Sequence, residues 1–110
     1  MEIIKEEQND ISILRLLGRL DSNTSTAFEE EIFEVIGHGA KSLVVDFGEL
    51  DYISSAGLRV LLKAAKEIKR SEGKIVLCSM NDYIKEVFEI AGFVSIFPIF
   101  ASKDSAIEEF

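Results

Sequence analysis

The residues best placed to do chemistry lie in Asp51-Tyr52-Ile53-Ser54-Ser55-Ala56-Gly57-Leu58-Arg59. Two adjacent hydroxyls stand between an apolar residue and a run of small ones, and a helical apolar pattern follows. With Ser54 as N-cap, Ser55 is N1, Ala56 N2, Gly57 N3 and Leu58 N4. That register sets Ile53 at N′ against Leu58 at N4, a hydrophobic staple. It also gives the two serines different roles. The Ser54 hydroxyl folds back to accept from the amide of Ala56 or Gly57. Ser55 points outward, with little bulk beside it, and is open to another protein's active site. A helix N-terminus attracts anions through its free amides and dipole, so a phosphate ester on Ser55 fits there. Such an ester brings about −1.5 to −2 charges. Arg59, four residues on, leans back toward the helix start and within reach of that phosphate. A Ser-Ser pair before a small-residue helix start is also ordinary capping chemistry. The residues alone leave both readings open.

Other candidates are weaker. Asp21 sits in the polar run Asp21-Ser22-Asn23-Thr24-Ser25-Thr26 and reads equally as a surface determinant or a turn carboxylate. Asp46 at a strand end reads as a backbone hydrogen-bond acceptor. His38, between two glycines, has a pKa suited to a base, but sequence places no nucleophile beside it. Cys78 ends an apolar strand and reads as a small core residue. The acidic run Glu29–Glu31 reads as a solvated helix start, and Ile96–Phe100 as core.

Composition narrows the function class. The 110 residues are expected to form one domain, 1–110, large enough to bury a core without staples. Hydrophobic residues make up 47% and charged residues 29%, as in soluble globular proteins. Twelve basic against 20 acidic residues leave a net charge of −8. That balance argues against direct nucleic-acid or anionic-membrane partners, which need a basic surface. One Cys and one His allow no intrachain disulfide and disfavour a Cys/His metal site. No apolar run reaches the ~18 residues of a membrane span. The first residues lack the pattern of a signal peptide, so the expected compartment is the cytoplasm.

The elements that must position Ser55 follow from periodicity. Strands are predicted at Glu2–Lys5 and Ile11–Leu17, joined as a hairpin by the turn signal Asn9-Asp10. A helix is predicted from about Ser25 to Ile36, with Phe28, Ile32, Val35 and Ile36 on one stripe and Gly37-His38-Gly39 ending it. Ser42–Phe47 reads as a buried strand. Ser54–Arg70 reads as the longest helix, burying Leu58, Leu61, Leu62, Ala65 and Ile68. Lys74–Cys78 is another buried strand. Asn81–Ala91 is a helix with Tyr83, Ile84, Val87, Phe88 and Ile90 mostly inward. A short strand near Pro98 and a helix over Lys103–Glu109, capped by Ser102, complete an order ββαβαβαβα. Strand–helix–strand crossovers impose parallel pairing, which gives a two-layer α/β fold with a mixed sheet and helices mainly on one face.

At Ile53-Ser54-Ser55-Ala56-Gly57-Leu58 the sequence resembles the STAS family, specifically bacterial anti-sigma-factor antagonists. That loop is usually hydrophobic-Asp-Ser-Ser/Thr-Gly-Leu. Gly18-Arg19-Leu20-Asp21 resembles the family's Gly-x-Leu-Asp after the second strand. Leu43-Val44-Val45-Asp46-Phe47 resembles its central strand. Glu72-Gly73-Lys74 and Phe88-Glu89-Ile90-Ala91-Gly92-Phe93 also fit. The resemblance implies a STAS-like sheet of four to five strands and places Ser55 on the family's phosphorylated serine. Ser54 stands where Asp is frequent, and Ala56 where a second hydroxyl is frequent. What the resemblance implies is partner switching. The unmodified antagonist binds an anti-sigma factor that is also a serine kinase, and sigma is freed. Phosphorylation on Ser55 releases the complex, and a serine phosphatase resets it. The implied interface is Asp21, Ser22, Asn23, Ser54, Ser55, Ala56, Gly57 and Arg59, with no catalytic residue, cofactor or metal. Two alternatives are a hydrolase using Ser55, which lacks a Gly-x-Ser-x-Gly turn, and a STAS subunit regulating a membrane transport complex.

Overall fold

Asn9 and Asp10 have φ of 53° and 64°, the sign that both central residues of a type I′ turn require. In the computed structural model, which describes residues 1–110, this turn joins β1 (Glu2–Gln8) to β2 (Ile11–Leu20) as an antiparallel hairpin. Then come α1 (Ser25–Gly37), β3 (Ser42–Ile53), α2 (Ser55–Arg70), β4 (Lys74–Cys78), α3 (Asp82–Ile90), a 3₁₀ turn at Phe93–Ser95, β5 (Ile99–Phe100) and α4 (Lys103–Glu108). The five strands lie in chain order β1-β2-β3-β4-β5, and every pair after the hairpin is parallel. This is the two-layer mixed α/β arrangement expected from the pattern.

The sheet buries both faces unequally. Leu14, Leu16, Leu43, Val45 and Phe47 on one face meet Phe28 and Ile32 of α1, Leu61 and Ile68 of α2, and Ile84 and Phe88 of α3. Ile11, Ile13, Val44, Val76 and Cys78 on the other lie under Ala106 of α4. Three helices cover one face and a single short one covers the other.

Several boundaries differ from expectation, each for a local reason. β3 does not stop at Phe47 but runs to Ile53. Its pairing with β2 slips twice, between Arg15 and Leu17 and between Gly18 and Arg19, and each slip leaves an extra residue on β3. The inward positions therefore run Leu43, Val45, Phe47, then Leu50, then Ile53, and no single period of two links them. β1 and β2 are also longer than read. On α2 the buried stripe is Gly57, Val60, Leu61, Ala64 and Ile68, while Leu58, Leu62 and Ala65 are half-buried. The helix is rolled toward Gly57. On the nine-residue α3 only Ile84 and Phe88 are buried, and Tyr83 and Ile90 are 51% and 79% exposed. Ile96 is 45% exposed, whereas Phe97 is core. Glu29 and Glu31 are not simply solvated: they pair with Lys63 at 3.4 Å and Lys5 at 2.8 Å.

Candidate functional site

Parallel pairing ends β2 and β3 side by side, with Leu20 opposite Ile53. The Ser54 N–H donates to the Leu20 carbonyl at 2.9 Å. That bond seals the loop after β2 against the start of α2. Ser54 is extended, at φ −98° and ψ 172°, and its Oγ accepts from the Gly57 N–H at 3.4 Å. It is the cap that the register predicted, at the long end of hydrogen-bond distance. Ile53 is buried and Leu58 packs on the same core, as a staple requires.

Gly57 sets how closely the helix start approaches the sheet. A Cβ there would lie 2.7 Å from Leu20 Cγ and 3.1 Å from Ile53 Cγ1. Gly57 is buried, and Ala56 is half-buried. Ser55, by contrast, is exposed, and no hydrogen bond holds its side chain. Arg59 is exposed and has no ion-pair partner. Residues four apart on a helix have Cβ atoms about 6 Å apart, so Arg59 overlooks Ser55.

The facing loop is organised by Asp21. Its carboxylate accepts from the N–H groups of Asn23 at 3.0 Å and Thr24 at 3.2 Å. The Thr24 hydroxyl accepts from the Asp21 N–H and donates to the Arg19 carbonyl, both at 2.9 Å. Burial opposes ionisation of Asp21, but hydrogen bonds from Asn23 and Thr24, with the Arg19 charge, outweigh it and hold the carboxyl below its usual range. Asp21 is thus a turn carboxylate, with Ser22 and Asn23 exposed at the tip. Thr24 was missed in the sequence, although the spacing Asp-x-x-Thr is a readable sign of such a box.

A second missed feature borders this site. The Arg19 guanidinium lies 4.3 Å above the Tyr52 ring centroid. Tyr52 in turn stacks on Tyr83 at 6.3 Å and 16°. The three residues come from β2, β3 and α3 and meet only after the strands pair.

The remaining candidates lie elsewhere. The Asp46 carboxylate accepts from the Gly48 N–H at 2.8 Å, a backbone role. His38 follows α1, and its Nδ1 donates to the Glu34 carbonyl at 2.8 Å. It precedes β3, whereas Ser55 follows β3, so the imidazole is at the other end of the sheet from that hydroxyl. Cys78 is buried, and burial pushes its thiol up to about 11. No group of three or more His, Cys, Asp or Glu is placed to hold a metal ion. No helix is long and apolar enough to cross a membrane.

A mixed sheet of this order, with a capped helix start facing an Asp-ordered loop, defines a domain class. The chain belongs to the STAS domain family, whose pattern matches residues 2–106. Among its relatives is BtrV of Bordetella bronchiseptica, named as a candidate anti-sigma factor antagonist. It is 39% identical over 110 residues, covering 100% of this chain and 95% of the relative. The fold matches a crystal structure of a candidate anti-sigma factor antagonist from Thermotoga maritima. The TM-score is 0.93 at 22% identity, over 97% of this chain and 92% of that one. It also matches the Bacillus cell fate determinant SpoIIAA in its phosphorylated form, with a TM-score of 0.77 at 22% identity and 98% of each chain covered. A sulfate transporter family protein of Wolinella succinogenes has the fold too, at TM-score 0.80 and 14% identity, with 93% of this chain and 85% of that one covered. Fold alone therefore does not separate regulator from transporter subunit.

Proposed function

We propose that this chain acts as an anti-sigma-factor antagonist by partner switching, with Ser55 as its phosphate acceptor. The observation that carries the reading is the contrast between adjacent serines. Ser54 is engaged as the α2 cap, while Ser55 is exposed and unbonded one place later. Two further points support it: the names of the relatives, and a phosphorylated form of the Bacillus protein on the same fold. Ser55, Ala56, Arg59 and the Ser22-Asn23 tip form the contact surface. Gly57 shapes it from beneath. The anti-sigma factor docks there as a serine kinase, and a phosphatase reverses the modification. The chain is substrate and ligand rather than enzyme, works in the cytoplasm, and acts as one domain.

The switch needs no refolding. Helix-start amides and Arg59 accommodate the phosphate in the free protein. In the complex the same dianion must be desolvated without a prepared partner, which costs several kcal/mol. Each ~1.4 kcal/mol is tenfold in affinity, so a loss of roughly a hundredfold or more is expected.

The experiment is incubation with anti-sigma serine kinases and ATP, then mass spectrometry of the modified peptide and binding measurements on variants. Phosphate is expected on Ser55. Ser55→Ala keeps partner binding and blocks incorporation, and Ser55→Asp weakens binding roughly a hundredfold. Phosphate on Ser54, or tight binding by Ser55→Asp, overturns the assignment. Loss of phosphate acceptance together with co-purification with a membrane transporter would favour the transport-complex reading.

A further inference from the structure

The second half of α2 and the Ser95–Pro98 segment enclose an open groove of about 670 Å³. Leu62, Ala65, Ile96 and Pro98 give it apolar walls, and Lys66, Lys69 and Lys74 stand along it. We propose that this groove is a docking site for an acidic amphipathic helix of a partner protein.

Three observations favour that occupant. Apolar exposure is the first: Ile96 is 45% exposed on the groove wall, beside half-buried Leu62, Ala65 and Pro98. Concentrated apolar exposure marks interaction surfaces. The charge is the second. In this strongly acidic chain most cations are already neutralised. Lys5, Arg15, Arg19, Lys63, Arg70, Lys74 and Lys103 pair with carboxylates, and Lys41 bonds the Ser71 carbonyl. Four cations have no partner, and two of them, Lys66 and Lys69, line the groove. Third, Lys74 already holds the Glu109 carboxylate at 2.6 Å, so the groove has one carboxylate seat in use.

The shape selects a helix. Leu62, Ala65, Lys66 and Lys69 follow three- and four-residue spacing along α2, which forms the ridges that a second helix packs between. A second copy of the chain is disfavoured by a net charge of −8 on each. The groove begins at Leu62, seven residues along α2 from Ser55 or about 10 Å at the helical rise, and extends away from it to Lys69, about 21 Å. The proposal stands whether or not Ser55 is the phosphate acceptor.

The probe is a labelled 18-residue helical peptide with Leu at i, i+3, i+4 and i+7, four Glu flanking them and Ala elsewhere. A Lys-for-Glu version is the control. Fluorescence anisotropy and amide chemical-shift mapping on the full chain read the result. The acidic peptide is expected to bind, with shifts confined to Leu62–Lys69 and Ser95–Pro98, and to weaken with added salt. Lys66→Glu/Lys69→Glu should weaken it at least tenfold, and Lys66→Gln/Lys69→Gln less so. No binding, equal binding of the Lys peptide, or unaltered affinity in the charge-reversed variant overturns the proposal. So does concentration-dependent dimerisation in sedimentation that Ile96→Glu abolishes, since that assigns the groove to a second copy.

Discussion

Ser54 and Ser55 differ by one position and by everything that surrounds them. One hydroxyl closes a helix and the other is left to solvent. The distinction was readable because capping is local: Ile53, the serine pair and the small residues after it fix the register without distant contacts. Ser54→Ala should therefore lower stability by about 0.5–1 kcal/mol, because the bond lost is long. Urea unfolding checks this, and phosphate acceptance should persist. Asp21 gives a pH signature. Its folded pKa is lowered, so its contribution is complete above the usual carboxylate value of about 3.9 and fades as pH falls through the folded value. Amide exchange at Asn23 and Thr24 should stay protected at pH 5 and accelerate beyond its intrinsic trend below about pH 4. Asp21→Asn should flatten that dependence. The Arg19–Tyr52–Tyr83 stack was not legible, because its members are 33 and 31 residues apart in the chain and only pairing of β2 with β3 and docking of α3 unite them.

Elements aim the serine. β2 and β3 end together, and α2 starts directly on their ends because Gly57 has no side chain to hold it off. Gly57→Ala drives a methyl into Leu20 and Ile53. Overpacking of this kind costs about 1–3 kcal/mol, offset by up to about 1 kcal/mol of helix propensity. A net loss of about 1–2 kcal/mol is expected in denaturant unfolding, with Ser55 displaced from the Asp21 loop. Among the elements, the order and types were legible and the lengths were not. β3 looked finished at Phe47 because Gly48-Glu49 and Asp51 break its alternation, and the strand bulges at Phe47-Gly48 and at Asp51. α3 carries more apolar residues than one face of a nine-residue helix can bury. Tyr83 and Ile90 are the surplus, and periodicity alone assigned them inward.

The molecule as a whole rests on one dominant core. Phe88 touches its centre, with its ring centroid 5.7 Å from Phe47 and 5.9 Å from Phe93, and Phe93 continues to Phe97 at 6.1 Å. Phe88→Ala should cost about 3–5 kcal/mol. A chain of this size has roughly 5–15 kcal/mol in total. Calorimetry should find the variant's melting temperature far below wild type, whereas Ser55→Asp melts close to wild type. The two outer strands of the sheet carry a different consequence. β1 is exposed along most of its length and bears Glu2, Lys5, Glu6 and Glu7, and β5 has only two residues. Charge on one border and brevity on the other deny any stray chain a template for cross-β growth. The free chain can thus accumulate alone without seeding fibrils.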